Sequence, residues 1–507
     1  MSHFSFSPIP GADVPDQPRP ARRRALTLAT TLALAAGALA LPAVAVPAQA
    51  APAPAVSGKH LHDDFNGDGY ADLAVTAPSA TVSGQQGAGY VAVVYGSASG
   101  LKTSTRQVLS QNSAGVPGSA EAGDRFGSAV ATADLDRDGY ADLVVGAGGE
   151  DTSAGPDAGS VVVLWGGAKG LSGGVTLAGG TEYGALGDRG RLTVGDVDGN
   201  GAPDVVTVVN AHDLRVLNGP FGRNGATTHA SELVTGPFDS RVLDLAAGDL
   251  DGDGITDIAA AENDGDEWDA RHVVYWTGTH DGLLPYTLVS GAGTGLQGGE
   301  HLAVGDVNRD GYADLVVGRA VEGADSDVDT PLAKGGRIAW IPGTAKGPDG
   351  TKAVLVNLDT AGVPGTAERG SGFGTGLSVA DIDGDHYADI AVGAPGISPG
   401  GRVITLPGTA KGPTGSGAKM FGQDTTGVPG TGEPGDAFGS AVRLVDADGD
   451  GRAELAVGAP GENAKAGAVW VLRGTTRGIT PSGSFSFASG TLGTVAAGGA
   501  LGAGLGS

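Results

Sequence analysis

The sequence predicts an all-β fold made of seven copies of one supersecondary unit arranged around a ring. Three observations predict it. The acidic pattern D-x-[DN]-x-[DN]-x-x-x-[DE] recurs seven times, beginning at Asp64, Asp134, Asp196, Asp249, Asp306, Asp381 and Asp446 at quasi-regular spacing. Short β-branched runs such as Val161-Val162-Val163-Leu164-Trp165 accompany the copies, as strands would. Gly is very frequent, 93 of 507 residues, yet the hydrophobic fraction is 40%. Together these read as many short strands joined by tight turns rather than as low-complexity disorder. Helical periodicity is absent outside the N-terminus. The repeat covers nearly everything after residue 60, so it overrides the several-domain expectation that length alone would give.

The first fifty residues read differently. Arg22-Arg23-Arg24 precede an apolar run from Ala25 to Leu41, and Ala48-Gln49-Ala50 offers a small-residue cleavage site. That order is expected of a secretory signal peptide over 1–50. Pro42 and Pro47 interrupt the run and argue against a transmembrane anchor; Sec and Tat export both stay open. Residues 51–62 read as a linker and 63–507 as the repeat domain, secreted and extracellular, with no membrane span after cleavage and monomeric. Cys is absent, which excludes disulfides, a lipobox anchor and thiol catalysis.

In each acidic loop, alternate residues of a tight turn point inward together. Positions one, three and five supply side-chain oxygens, position seven a backbone carbonyl, and position nine a carboxylate at the start of the next strand. Six to eight oxygens suit calcium. The expected ligands are Asp64, Asn66, Asp68 and Asp72; Asp134, Asp136, Asp138 and Asp142; Asp196, Asp198, Asn200 and Asp204; Asp249, Asp251, Asp253 and Asp257; Asp306, Asn308, Asp310 and Asp314; Asp381, Asp383, Asp385 and Asp389; and Asp446, Asp448, Asp450 and Glu454. Up to seven structural Ca2+ ions follow, and no other cofactor. Position six is Gly in six copies, as a left-handed backbone would require; His386 departs from that rule. Pro203 at position eight lacks an N–H. A metal-free Asx-rich turn would explain one such loop more easily than seven. The chain carries a net charge of −26, and the loop carboxylates account for nearly all of it. With no basic patch, nucleic acid is not an expected partner.

The last copy shows the unit most fully: Asp436-Ala437-Phe438-Gly439, then the loop, then Val457-Gly458-Ala459-Pro460-Gly461. Phe126-Gly127 with Gly146-Ala147, and Phe373-Gly374 with Gly393-Ala394-Pro395-Gly396, repeat it. These units resemble the FG-GAP repeats of the integrin α-subunit head, and the resemblance implies a seven-bladed β-propeller with a calcium-binding loop in each blade. Copies three to five lack Phe-Gly and Gly-Ala-Pro and rest on loop and spacing. Integrin heads usually carry the loop in only some blades. The first copy lacks the strand before its loop, so Gly499–Leu505 is expected to close the first blade, with Ser484–Gly490 as the last strand of the seventh.

The resemblance implies an adhesion or protein-interaction module for an extracellular protein ligand. A calcium-stabilised lectin binding carbohydrate is the alternative, because some seven-bladed fungal lectins share the repeat. A propeller-type hydrolase or lyase ranks last, and the chain is expected not to be an enzyme. Two G-x-S-x-G matches, Gly170–Gly174 and Gly396–Gly400, fall in turns and lack the strand–helix elbow of a hydrolase. The loops joining second and third strands vary most: Glu150, Asp151 and Asp157 in one, Asp264, Asp266, Glu267, Trp268 and Asp269 in another, Asp325, Asp327 and Asp329 in a third. The last two could form an acidic patch around Trp268. Trp165, Trp276, Trp340 and Trp470 read as blade packing, and Tyr70, Tyr140, Tyr312 and Tyr387 at position seven as rings between blades.

Overall fold

A computed structural model describes residues 63–506 other than 228, 230, 238–239, 264–270, 292–297 and 322–333. The expected signal segment and linker, and the acidic loop tips around Trp268 and over 325–329, lie outside the described residues. Seven four-stranded antiparallel sheets form. Blade one uses Leu73–Ala77, Tyr90–Tyr95 and Lys102–Leu109, with Gly504–Leu505 as its first strand. Blade two runs Phe126–Ala133, Asp142–Ala147, Ser160–Trp165 and Ser172–Gly179. The remaining blades begin at Leu192, Arg241, His301, Leu377 and Ala441.

The middle strands explain the composition. Second strands such as Asp142–Ala147 (DLVVGA) and third strands such as Ser160–Trp165 (SVVVLW) are buried throughout. A strand covered on both faces reads as a continuous apolar run, not as an alternation. Fourth strands such as Lys102–Leu109 (KTSTRQVL) are largely exposed. The first strands surround the ring axis: Leu505, Thr132, Thr193, Ala246, Ala303, Val379 and Arg443, one from each blade, line a single cavity of about 420 Å³.

The core is divided among seven clusters of buried side chains, each shared by two neighbouring blades. One of them joins blade seven to blade one through Val445, Ala456, Val469, Leu73, Val75 and Leu501. No blade buries its own faces alone, which is why a repeat of this kind must be stacked. Closure occurs as expected: Leu505 pairs with Val75 and Gly504 with Thr76. The last strand of blade seven is Thr480–Ala488; Ser489 and Gly490 leave the sheet as the start of a one-turn helix, Ser489–Leu492.

The Phe-Gly pair has a physical role. Phe126, Phe373 and Phe438 are fully buried, each in the cluster shared with the preceding blade. The following glycines have left-handed φ values of 90°, 105° and 93°. A Cβ on Gly439 would lie 3.2 Å from the Gly393 Cα, so the neighbouring blade leaves it no room. Leu186-Gly187 and Leu501-Gly502 occupy this place in blades three and one, with the same parallel bridge to the preceding blade and the same positive φ at Gly. The pair is therefore substituted there, Leu for Phe, rather than lost from the third copy.

Candidate metal centres

Each acidic loop sits between the first and second strands of its blade and is shaped by its own carboxylates. The position-one aspartate accepts the position-six N–H at 2.8–3.0 Å in all seven loops. Position five accepts the position-seven N–H, as Asp68 does from Tyr70 at 3.1 Å. These turns need a left-handed residue at position six, and φ there is 88° at Gly69 and 71° at His386. Position four is left-handed as well, from 57° at Arg309 to 82° at Gly384. The sequence signal for this is Gly at position four in five copies, Gly67, Gly199, Gly252, Gly384 and Gly449.

Position nine anchors the loop to the sheet. Asp72, Asp142, Asp204, Asp257, Asp314 and Asp389 are buried. Each takes two backbone N–H groups at 2.7–3.0 Å, one from position two and one from a Gly just after the third strand. Glu454 takes the Ala447 N–H at 3.1 Å. Burial, with smaller contributions from the neighbouring loop carboxylates, pushes these acids up, to about 8 for Asp72, about 7 for Asp142 and Glu454, and about 6 for Asp314.

The donor set fits a hard cation. In five loops, three carboxylates offer oxygens within 4.8 Å of one another: Asp134, Asp136 and Asp142; Asp196, Asp198 and Asp204; Asp249, Asp251 and Asp257; Asp381, Asp383 and Asp385; and Asp446, Asp448 and Glu454. All are oxygen donors, the chemistry calcium prefers. In the first and fifth loops Asn66 and Asn308 replace one of the acids and hydrogen-bond to Asp68 and Asp310. Arginines, which the pattern did not foretell, touch two loops. Arg223 from blade three pairs with Asp136 at 2.6 Å and with Asp138 while its guanidinium lies over Trp165. Arg452 pairs with Asp450, and Arg473 lies 3.4 Å from Asp448.

Neighbouring loops touch one another around the rim. The position-eight N–H donates to the position-one carbonyl of the preceding loop: Ala141 to Asp64, Thr256 to Asp196, Ala313 to Asp249, Ala388 to Asp306 and Ala453 to Asp381, at 2.8–3.1 Å. Pro203 cannot donate, so the contact is missing between loops two and three. The expected interblade rings are found here. Tyr140 covers Gly67, Tyr312 covers Gly252 and Tyr70 covers Gly449, while Tyr387 takes the Arg309 guanidinium at 6.0 Å. The four expected packing tryptophans are buried in third strands.

Comparison with known proteins agrees with this geometry. The family model described as "FG-GAP repeat" matches residues 62–94, 126–164, 373–406 and 438–472, in blades one, two, six and seven. The "FG-GAP-like repeat" model matches 196–260 and 249–317, in blades three to five. Integrin alpha pat-2 of Caenorhabditis briggsae is 33% identical over 230 residues, 42% of this chain and 17% of that protein. Human integrin alpha-IIb is 34% identical over 169 residues, 32% of this chain and 15% of its own length. Mouse phosphatidylinositol-glycan-specific phospholipase D is 34% identical over 165 residues, 32% of this chain and 18% of that protein. The chain thus spans less than a fifth of each of these relatives. With every blade matched, the chain belongs to the FG-GAP repeat family, similar to the integrin α propeller.

Proposed function

We propose that this chain is a secreted, calcium-stabilised propeller that acts as an adhesion or protein-interaction module. The observation that carries the reading is the ring of seven loops of one design, five of them with three converging carboxylates, in a chain similar to integrin α subunits. In this reading the 28 loop residues named above hold calcium and stiffen one rim, and the rim at the other end of the second strands faces the ligand. Export fits the Arg-rich and apolar N-terminus, with a signal over 1–50, a linker over 51–62 and the propeller over 63–507. Among the described residues no helix is long and apolar enough to cross a membrane.

The similarity to a phospholipase D covers only 18% of that enzyme, and a propeller can be a binding attachment in one protein and the working part of another. A binding module is therefore preferred to an enzyme, and the ligand is taken to be an extracellular protein. The chain after residue 50, immobilised with calcium, is expected to retain a cell-surface protein that is released by EGTA. Retention of glycans on an array in calcium, with no protein retained, would replace the adhesion reading by the lectin one.

A further inference from the structure

Two junctions between blades carry the same trio on the rim opposite the loops, its Gln and Asp buried and its Glu half-buried. At the junction of blades one and two it is Gln111, Asp124 and Glu150; at that of blades six and seven it is Gln423, Asp436 and Glu462. The geometry repeats closely. Gln111 Nε2 donates to Glu150, and Gln423 Nε2 to Glu462 at 2.6 Å. Asp124 takes the Glu121 N–H at 2.6 Å and Asp436 the Glu433 N–H at 2.8 Å. Gly149 and Gly461 donate to the carbonyls of the two aspartates, both at 3.0 Å. Glu462 and Asp436 are in side-chain hydrogen-bond contact, so two acids share one space.

The glutamine oxygens are the unexplained atoms. Gln111 is 4% exposed and Gln423 1%, and among the described residues neither buried Oε1 has a hydrogen-bond partner. An unmet buried acceptor costs about 1–3 kcal/mol, and the chain keeps two of them. A proton shared by the two acids would relieve their repulsion but would leave the amide oxygen alone. The chain also contains its own control. At the junction of blades five and six the equivalent residues are Leu358, Ser371 and Ile397. Leu358 is 1% exposed and Ile397 packs on the same apolar cluster. All three positions change together, from an oxygen-bearing trio to a largely apolar plug.

We propose that each trio is a cation site, in which the glutamine Oε1 and the Asp and Glu carboxylates hold a hard divalent cation between blades. Two negative charges and oxygen donors alone select that class. The sites are separate from the acidic loops, which lie at the other end of six-residue second strands, about 20 Å away.

The test counts bound metal on the folded chain after equilibrium dialysis against CaCl2 and, separately, MgCl2. The variants transplant the third junction: Gln111→Leu with Asp124→Ser and Glu150→Ile, and Gln423→Leu with Asp436→Ser and Glu462→Ile. Each is expected to bind one ion fewer than wild type in at least one of the two salts, and the arm that shows the loss identifies the cation. An unchanged count in both salts overturns the proposal. If a triple variant fails to fold, the near-isosteric Glu462→Gln decides: at sub-saturating cation it should weaken one site at least tenfold, and unaltered binding overturns the proposal. Loop variants such as Asp253→Ala change the count independently, so failure of these sites and failure of the loop sites are distinguishable.

Discussion

Arg443 Nη2 lies 2.7 Å from Asp63 Oδ2, and the other oxygen of that carboxylate takes the Thr132 hydroxyl at 2.5 Å. Asp63 is the first described residue. Arg443 belongs to the first strand of blade seven, and Thr132 to the first strand of blade two. One carboxylate thus spans the seam where Gly504–Leu505 completes blade one, tying together the blades on both sides of it. The Asp63 carbonyl also accepts the Asp72 N–H at 2.9 Å, which joins the seam to the first acidic loop.

Removing the cation from this clasp should open the seam. Arg443→Ala leaves a nearly buried carboxylate with one partner, at a cost of about 1–3 kcal/mol. The melting temperature should fall by a few degrees, with increased proteolysis near the C-terminal strand. Arg443→Lys should recover part of the loss. A melt identical to wild type would show that the two-strand seam holds without Asp63.

Calcium removal should destabilise the whole ring, because adjoining loops touch. At calcium 100-fold above Kd each occupied site adds up to about 2.7 kcal/mol. EGTA is expected to lower the melting temperature strongly, and Asp253→Ala to do so partly. Loop two should respond differently, since the Arg223 guanidinium already compensates Asp136 and Asp138. Arg223→Ala is expected to lower stability in EGTA and to tighten calcium binding at that loop. Titration calorimetry with both proteins checks this; equal affinities would place Arg223 outside the competition for those oxygens.

Glu262, 2% exposed, is pushed up to about 8 by burial, against a smaller lowering by the Ser240 hydroxyl. The folded chain therefore holds this proton more tightly than the unfolded chain, whose ordinary value is 4.5. The contribution to stability is complete below that ordinary value, declines as pH rises through the window, and levels off above about 8. Glu262→Gln should remove this slope and stabilise the protein at pH 8. Chemical denaturation at pH 5 and pH 8 measures it, and parallel slopes for the two proteins would contradict the shift.

The architecture was legible in the sequence because its cause is local and repeated. Each loop must turn at a left-handed position six, and each second strand is apolar because both faces are covered. Closure by Gly499–Leu505 was legible because blade one lacked a strand. The Leu-Gly stand-ins at Leu186 and Leu501 were harder to see, since a buried apolar residue before a left-handed Gly is all the packing demands. Arg223 and Asp63 were illegible for a different reason. Their partners lie 87 and 380 residues away in the chain, and no local period connects them. The acidic region around Trp268, singled out from composition, lies outside the described residues.

The contact between loops gives the sharpest test of the ring. Gly67 at position four and Gly69 at position six are both left-handed, with φ of 72° and 88°. A Cβ on Gly69 meets nothing within 4 Å, whereas one on Gly67 would lie 2.5 Å from Tyr140 Cε1 of the next loop. Gly69→Ala should therefore cost only left-handed strain, about 1–2 kcal/mol. Gly67→Ala should cost that strain and also displace the Tyr140 ring, adding about 1–3 kcal/mol. The double variant Gly67→Ala with Tyr140→Ala makes space for the methyl group, so its cost should fall below the sum of the two single changes. Strict additivity would mean that the ring does not press on the neighbouring loop, and that each blade holds its acidic loop alone.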